Sequence, residues 1–356
     1  MIDSDFRHAH AAPTCAKLMV DNQSAKRKAP SVEASDGYFE SYAGLGIHEE
    51  MLRCRRTDAY LQAIRSAGLA GKTVLDVGCG TGVLAIACAR AGARKVYAVE
   101  ASAVAECARA VVSASGLTGS VEVIRGKVEE VELPERVDVI VSEWMGCFLL
   151  YESMLDSVLR ARDRWLKPGG SMLPRRAQMW LAPFRDEEAA EEQKAFWADV
   201  HGIDMSCLAP IARAELARRP EVELLLAQNV ISSPSCVLDI GDLASCDLSD
   251  CQSLCASFDL SSHVRAELHG FVGYFAVELV PGQWLSTAPD AEPTHWRHVL
   301  FHCELPLPVQ QDERIRGRLT MTQATQNPRC WDVVISFGVS GGGEERTQRY
   351  ELDVRC

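Results

Sequence analysis

The feature that most constrains this chain is "VLDVGCGTG" (74–82), an apolar strand that runs into a glycine-rich turn and opens a helix. Gly78, Gly80 and Gly82 let backbone approach a ligand where a Cβ would block it. The turn heads an alternating block from Gly71 to about Gly170. Strands "KTVLDVG", "KVYAVEA", "SVEVIRGK" and "VDVIVSE" are interleaved with helices over "GVLAIACARAG" and "SAVAECARAVVSASG", and another runs from about Ser153 to Leu166. Apolar strands spaced by helices predict a Rossmann-like parallel sheet covered on both faces, over 71–173. "LKPGGSMLPRR" closes the block with proline and glycine.

Asp76 lies inside the glycine-rich motif, and Glu100 ends the next strand, 22 residues after Gly78. An acid in that place accepts hydrogen bonds from ribose hydroxyls. A dinucleotide would prefer GxGxxG, but the sixth position is Val83, and no second basic or glycine-rich loop serves phosphates. An adenosyl ligand without phosphates fits better: S-adenosylmethionine, leaving as S-adenosylhomocysteine.

Two further blocks flank the sheet. Residues 36–70 read as helical, with an interruption near Gly44 and Gly46. From 174 to 356 strands dominate: "AQMWLAPF", "SCVLDIGD", "GFVGYFAVELV", "WRHVLFHCEL", "RIRGRLTM", "WDVVISFGV" and "RYELDVRC". They predict an antiparallel sheet or barrel. One helical insertion, "DEEAAEEQKAFWADVHGIDMSCL", carries Phe196 and Trp197 on one turn. Its apolar side packs either on its own chain or on a partner subunit.

The net charge of −12 argues against direct nucleic-acid binding and suits a cationic partner. No apolar run reaches the roughly 18 residues of a membrane helix. Residues 1–35 read as a solvated tail without the apolar stretch of a secretory leader, and "KRK" (26–28) resembles a weak import signal. The expected location is cytoplasmic, nuclear or both. Of 14 cysteines none forms a CxxC pair, and Cys79, Cys88, Cys107 and Cys147 sit in apolar patterns, which suits a reducing compartment. Cys236, Cys246, Cys251, Cys255 and His263 match no common zinc spacing, so no metal is expected.

"SEWMGCFLLYESML" (142–155) sets Glu143 and Glu152 in an apolar stretch with eight residues between them, at the end of a core strand. Burying carboxylates without a partner costs several kcal/mol, on the order of the ion's desolvation, so they call for a cation. A methyl donor beside two such acids points to a cationic acceptor. Together with "YFESY", "GIHEEML", "VYAVEAS" and the late "THW" (294–296), these motifs resemble the type I protein arginine N-methyltransferases from about Asp36 onward.

The resemblance implies roles for single residues. Glu143 and Glu152 correspond to the paired catalytic acids, on a loop known as the double-E hairpin. Glu100 would hold the ribose and Glu129, in "GKVEEVELP", the adenine, with Val128, Asp76, Gly78 and Gly80 lining the cofactor. His48 and Arg56 would bind the methionyl end. Tyr38, Phe39 and Tyr42 would fold over as an N-terminal lid, Tyr42 on the acceptor side. Met51 and Met154 would flank the target nitrogen, and His295 and Trp296 complete the arginine pocket. The insertion, about 186–226, would be a homodimerisation arm. The implied activity is transfer of methyl groups to arginine in histone tails or Arg/Gly-rich RNA-binding proteins, giving monomethyl and asymmetric dimethyl arginine. A monomethylating enzyme and a weakly active adaptor are the rival readings.

The chain departs from the family pattern in one place. After "HEEML" it lacks one residue, and Cys54 stands where an acid would pair with the histidine of "THW". One residue lost from a continuous helix turns the downstream residues by about 100°, which leaves open whether Arg55 or Arg56 faces the cofactor and leaves His295 without an obvious acid partner.

Overall fold

In this computed structural model, residues 35–341 and 345–353 are described. The sequence reading of the tail and of "KRK" lies outside them.

Three short helices lead in: α1 (Ser35–Ser41), α2 (Leu45–Arg53) and α3 (Arg55–Ser66). Gly44 separates the first two, as the sequence suggests. The break before α3 is not foreshadowed by proline or glycine. Cys54 takes an extended conformation (φ −80°, ψ 145°), and the Thr57 hydroxyl donates to the Met51 carbonyl across the kink. The kink restarts the helical phase, so the missing residue does not rotate α3 out of register. Arg56 is buried and faces inward, whereas Arg55 is exposed beside Glu292. Of the two arginines between which the sequence does not decide, Arg56 takes the inner place.

The parallel sheet is built from β1 (Thr73–Val77), α4 (Val83–Arg90), β2 (Lys95–Glu100), α5 (Ala105–Ala114), β3 (Val121–Arg125), β4 (Val137–Ser142), α6 (Met154–Trp165) and β5 (Leu166–Leu173). Its order is β3-β2-β1-β4-β5, and every pairing is parallel. β1 is buried throughout, as a central strand covered on both sides must be. The segment read as a Pro/Gly closure is instead β5, paired with β4. Leu166, Met172 and Leu173 anchor it in the core, and that burial overrides the local preference of "KPGG" for a turn.

The second half holds β6 (Arg176–Phe184), α7 (Glu187–Ala198), α8 (Ala209–Leu216), β7 (Glu221–Glu223), β8 (Ser235–Ile240), β9 (Ser253–Ser261), β10 (Ala266–Val280), β11 (Gln283–Ser286), β12 (His298–Val309), β13 (Arg314–Gln323), β14 (Trp331–Val339) and β15 (Arg346–Leu352). They form two antiparallel sheets, β7-β12-β10-β6-β8 with β11 on β10, and β15-β14-β13-β9. The sheets face each other barrel-fashion over an aromatic core, where Phe271 meets Phe258 at 5.5 Å and Phe337 at 5.0 Å between ring centres. Three strands escape the sequence pattern. β7 is too short, β11 is a hairpin return, and only Phe258 and Leu260 of β9 are buried.

α7 and α8 bury none of their residues. Phe196, Ile203, Leu208 and Ile211 stand exposed along this arm, with Trp197 half-buried against Phe196. Among the described residues, the chain does not cover the arm's apolar side.

Candidate active site

The C-terminal ends of β1, β2 and β4 open into one cavity, roofed by α1 and α2 and walled by the β domain. Ligands bind at this edge of an open α/β sheet because helix starts and turn backbones converge there.

The nucleotide side begins at the glycine-rich turn. Gly78 has φ 74°, a left-handed backbone that favours glycine, and the flexible tip of Met154 lies 2.4 Å from where a Cβ would stand. Glu100 is buried at the end of β2. Its Oε2 accepts from the Gly80 N–H at 3.0 Å and its Oε1 from the Ser102 N–H at 2.8 Å. Two backbone donors fix the carboxylate and leave lone pairs for ribose hydroxyls. Val128 and Glu129 line the far end, where Glu129 accepts from the Ser157 hydroxyl. His48 sits over the turn, its Cε1 3.2 Å from where a Gly80 Cβ would stand, and its Nε2 shares a 2.9 Å hydrogen bond with the Tyr42 carbonyl. The cradle suits a nucleoside.

Asp76 is the exception. It is fully buried behind the turn, does not line the cavity, and neither carboxylate oxygen has a hydrogen-bond partner among the described residues. Burial pushes its carboxyl up to about 7, opposed in part by the nearby Ala85 N–H. Asp76, expected against the cofactor, lies buried at the end of β1 just before the turn and is not among the residues that line the cavity.

The two hairpin acids reach the opposite side of the same cavity. Glu143 pairs with Arg56, with both side chains nearly buried, and its Oε1 has no hydrogen-bond partner among the described residues. Arg56 also donates to the Met51 sulfur at 3.3 Å. Glu152 accepts from Tyr38 at 2.9 Å and from Tyr42 at 3.0 and 2.9 Å. Tyr38, expected against the cofactor, therefore bonds the acceptor-side acid as well; Phe39 packs edge-on beside it. Burial raises both carboxyls above the usual range; Arg56 counters the rise at Glu143, and Tyr42 and Tyr38 counter it at Glu152. The site is short of positive charge. A cation entering it would restore the solvation these acids have lost.

The hairpin is held in a strained shape. Phe148, Leu149, Glu152 and Ser153 all have positive φ, a cost kept where the surroundings over-determine it. Trp296 is buried, and its indole N–H donates to the Met145 carbonyl at 2.7 Å. Phe148 inserts against Gly273, where a Cβ would come within 2.6 Å of the ring. On the other flank the Ser153 hydroxyl donates to the Pro328 carbonyl at 2.6 Å. The β domain thus sets the position of both acids.

His295 stacks on Trp296 with ring centres 4.1 Å apart, and its Nδ1 has no hydrogen-bond partner among the described residues. Burial, with Arg56 adding to it, lowers its pKa to about 3, so it stays neutral. Met51 and Met154 line the cavity beside the acids.

Sequence reasoning missed Arg329. Its guanidinium lies 3.5 Å from the Tyr38 ring centre and donates to the Glu152 carbonyl at 2.8 Å, while its own carbonyl accepts from the Glu152 N–H at 2.9 Å. Arg329 sits in the turn "NPRC" between β13 and β14, where nothing in the local pattern marks it as part of a site. No group of three or more His, Cys, Asp or Glu side chains among the described residues is arranged to hold a metal ion.

Residues 74–170 match the methyltransferase domain, and residues 175–342 match the arginine methyltransferase oligomerization subdomain. The sequence is 41% identical to the probable protein arginine N-methyltransferase 6.1 of Oryza sativa subsp. japonica, over 97% of this chain and 98% of that protein. It is 42% identical to protein arginine N-methyltransferase 6 of Xenopus laevis, over 92% and 98%. Among solved structures, the Trypanosoma brucei PRMT1 enzyme–prozyme heterotetrameric complex with AdoHcy is similar at a TM-score of 0.81 and 34% identity, covering 88% of this chain and all of that one (100%). A PRMT6–SAH crystal structure is similar at a TM-score of 0.71 and 26% identity, covering 83% and 100%.

Proposed function

The chain belongs to the protein arginine N-methyltransferases, which makes it an S-adenosylmethionine-dependent enzyme acting on protein arginine, and from that premise we propose that it is a type I member. Its products would be monomethyl and asymmetric dimethyl arginine, and its substrates histone tails or Arg/Gly-rich proteins. The observation that carries this reading is the pair of buried, incompletely compensated acids, Glu143 and Glu152, in one cavity with the nucleoside cradle.

A guanidinium is always charged at neutral pH, and its planar fork matches carboxylates on two edges. Glu143 and Glu152 would hold one edge each and draw the charge toward the nitrogens they touch. The remaining nitrogen keeps more lone-pair character. Bound S-adenosylmethionine supplies the electrophilic methyl group. Glu100 and Glu129 would hold its nucleoside, and His48 and Arg56 its amino-acid end. Most of the acceleration would come from alignment and fixed charge, which need no reorganisation during transfer. Glu152, with its carboxyl pKa raised by burial, or a water would take the proton shed by the methylated nitrogen.

We further propose a homodimer through α7 and α8, with Phe196 and Trp197 as anchors, because large aromatics dominate interface energetics. Trp197→Ala should sediment as a monomer at micromolar concentration where the unaltered chain does not; an unshifted dimer would move the interface elsewhere. These substrate classes would have the enzyme work in the cytoplasm, the nucleus or both.

The deciding experiment is mass spectrometry of histone-tail and Gly/Arg-rich peptides after incubation with S-adenosylmethionine. Asymmetric dimethylarginine should accumulate with time. A product that stops at monomethylarginine would assign the monomethylating class. Peptide binding without transfer would assign the adaptor.

A further inference from the structure

The turn between β13 and β14 brings a cation to the cavity that methyl transfer, as derived above, does not use. The turn closes on itself where the Asn327 carbonyl accepts from the Cys330 N–H at 2.9 Å. From it, the Arg329 Nη1 donates to the Glu152 carbonyl at 2.8 Å, and the Arg329 carbonyl accepts from the Glu152 N–H at 2.9 Å. The Pro328 carbonyl accepts from the Ser153 hydroxyl at 2.6 Å. These bonds hold Glu152 and Ser153 at the positive φ values, 73° and 52°, that shape the end of the hairpin.

The same guanidinium faces α1. It lies 3.5 Å from the Tyr38 ring centre and 5.4 Å from that of Phe39, and the Lys127 ammonium lies 5.7 Å from the Phe39 ring centre. The two rings meet edge-on at 5.3 Å. One aromatic pair on the roof is thus met by a cation from the β domain and by another from the loop after β3. A cation over a ring is drawn to its electron-rich face, most strongly where water is displaced, and Tyr38 is buried. The Tyr38 hydroxyl donates to the Glu152 carboxylate at 2.9 Å, which closes a circuit of Arg329, Tyr38 and Glu152.

We propose that Arg329 is a positioning residue for methyl transfer, gripping the Tyr38 ring so that closure of α1 over the cofactor and placement of Glu152 occur together. Lys127 steadies the same roof through Phe39. This role rests on the reading of Glu152 as an acceptor-side acid. The charge of Arg329 acts in the same sense: burial raises the Glu152 carboxyl, the Tyr42 and Tyr38 hydroxyls oppose the rise, and Arg329 opposes it further.

The test reads two quantities on the full chain: release of S-adenosylhomocysteine by stopped flow, and the pH profile of kcat/KM. Arg329→Met keeps the side chain's reach without its charge, and release should quicken about threefold to tenfold, the scale of losing one desolvated cation–ring contact. Arg329→Lys returns a cation without the planar fork, and release should fall back toward the wild-type rate. In a Tyr38→Leu background, with that ring gone, Arg329→Met should add less than about twofold, whereas a general loosening of the fold would add in full. The acidic limb should move to higher pH in Arg329→Met and return in Arg329→Lys. Hydrogen exchange on the wild type needs no variant: S-adenosylhomocysteine should slow exchange in α1, at the Glu152 amide and in the 327–330 turn together. The proposal is overturned if release is unchanged in Arg329→Met, if its rise persists undiminished with Tyr38→Leu, or if the cofactor product protects α1 alone. It is overturned also if the wild-type limb is raised and Arg329→Met leaves it unmoved. A wild-type limb at the value of an ordinary glutamate would instead count against the reading of Glu152, and the release and exchange data would still decide the grip.

Discussion

Tyr42 donates its hydroxyl to both carboxylate oxygens of Glu152, at 3.0 and 2.9 Å, and so joins the N-terminal helices to the hairpin. That hydrogen bond, with the one from Tyr38, opposes the burial that raises the Glu152 pKa. To hold a guanidinium as proposed, Glu152 would have to be ionised, so activity should be lost as pH falls through its raised pKa. The acidic limb of kcat/KM, which reports the free enzyme, should therefore lie above the range of a solvent-exposed glutamate. Tyr42→Phe removes a stabilising donor and should move that limb to higher pH, with the largest loss of activity on the acidic side. An unmoved limb would detach Tyr42 from the charge of Glu152.

Glu143→Gln removes negative charge where the guanidinium would sit and leaves the Glu100 cradle untouched. Turnover should fall by about 10²–10³-fold, the scale of losing one pre-aligned electrostatic group, while the cofactor Kd changes by less than about threefold. Arg56 keeps a hydrogen-bonding amide but loses its buried counter-charge, so the cofactor-free variant should also melt earlier. Calorimetry and steady-state kinetics on one preparation separate the effects. Equal losses in affinity and turnover would contradict the role given to Glu143.

Much of this site was legible in the sequence because its parts are local. The glycine-rich turn and Glu100 lie on adjacent strands at a set spacing, and both acids belong to one hairpin. Contacts made across the fold were not legible. Arg329 meets Glu152 from 177 positions away through a loop that carries no pattern. Tyr38 and Tyr42 reach Glu152 only because α1 folds back over the sheet. Asp76 shows the opposite case: it sits within a binding motif yet is buried and outside the cavity lining. The strand alternation that points β1's neighbouring residues to opposite faces explains how motif membership and ligand contact part company there.

Asp76 makes a pH prediction of its own. Its carboxyl rises from 3.8 to about 7 on folding, chiefly through burial. Between those values the native state binds more protons than the unfolded state, so stability falls as pH rises across that window and levels off above it. Asparagine does not titrate. The stability difference between Asp76→Asn and wild type, measured by urea unfolding without cofactor, should shift in favour of the variant by about 2–3 kcal/mol from pH 5 to pH 8. The comparison between pH values cancels any fixed cost of the amide. A difference that does not change with pH would mean that burial does not raise the Asp76 carboxyl.

Product choice rests on space beside the target nitrogen. For asymmetric dimethylation the monomethylated nitrogen has to return to the same attack position, with its first methyl accommodated on one side. Met51 and Met154 both line the cavity; Met51 accepts a hydrogen bond from Arg56 through its sulfur, and Met154 packs its methyl over Gly78. Both are unbranched, and a thioether adapts to a neighbouring methyl in more than one rotamer. A phenyl ring at position 51 is flat and rigid, fills the side where that methyl would turn, and leaves the Glu100 end of the cavity unchanged. Met51→Phe should therefore shift products from asymmetric dimethylarginine toward monomethyl or symmetric dimethyl arginine, with cofactor affinity within about twofold, well under the roughly 1.4 kcal/mol of a tenfold change. Chromatographic separation of the three methylarginines after acid hydrolysis reads the ratio directly. An unchanged ratio would place the accepted methyl away from Met51, and a collapse of cofactor binding would place Met51 in the nucleoside site instead.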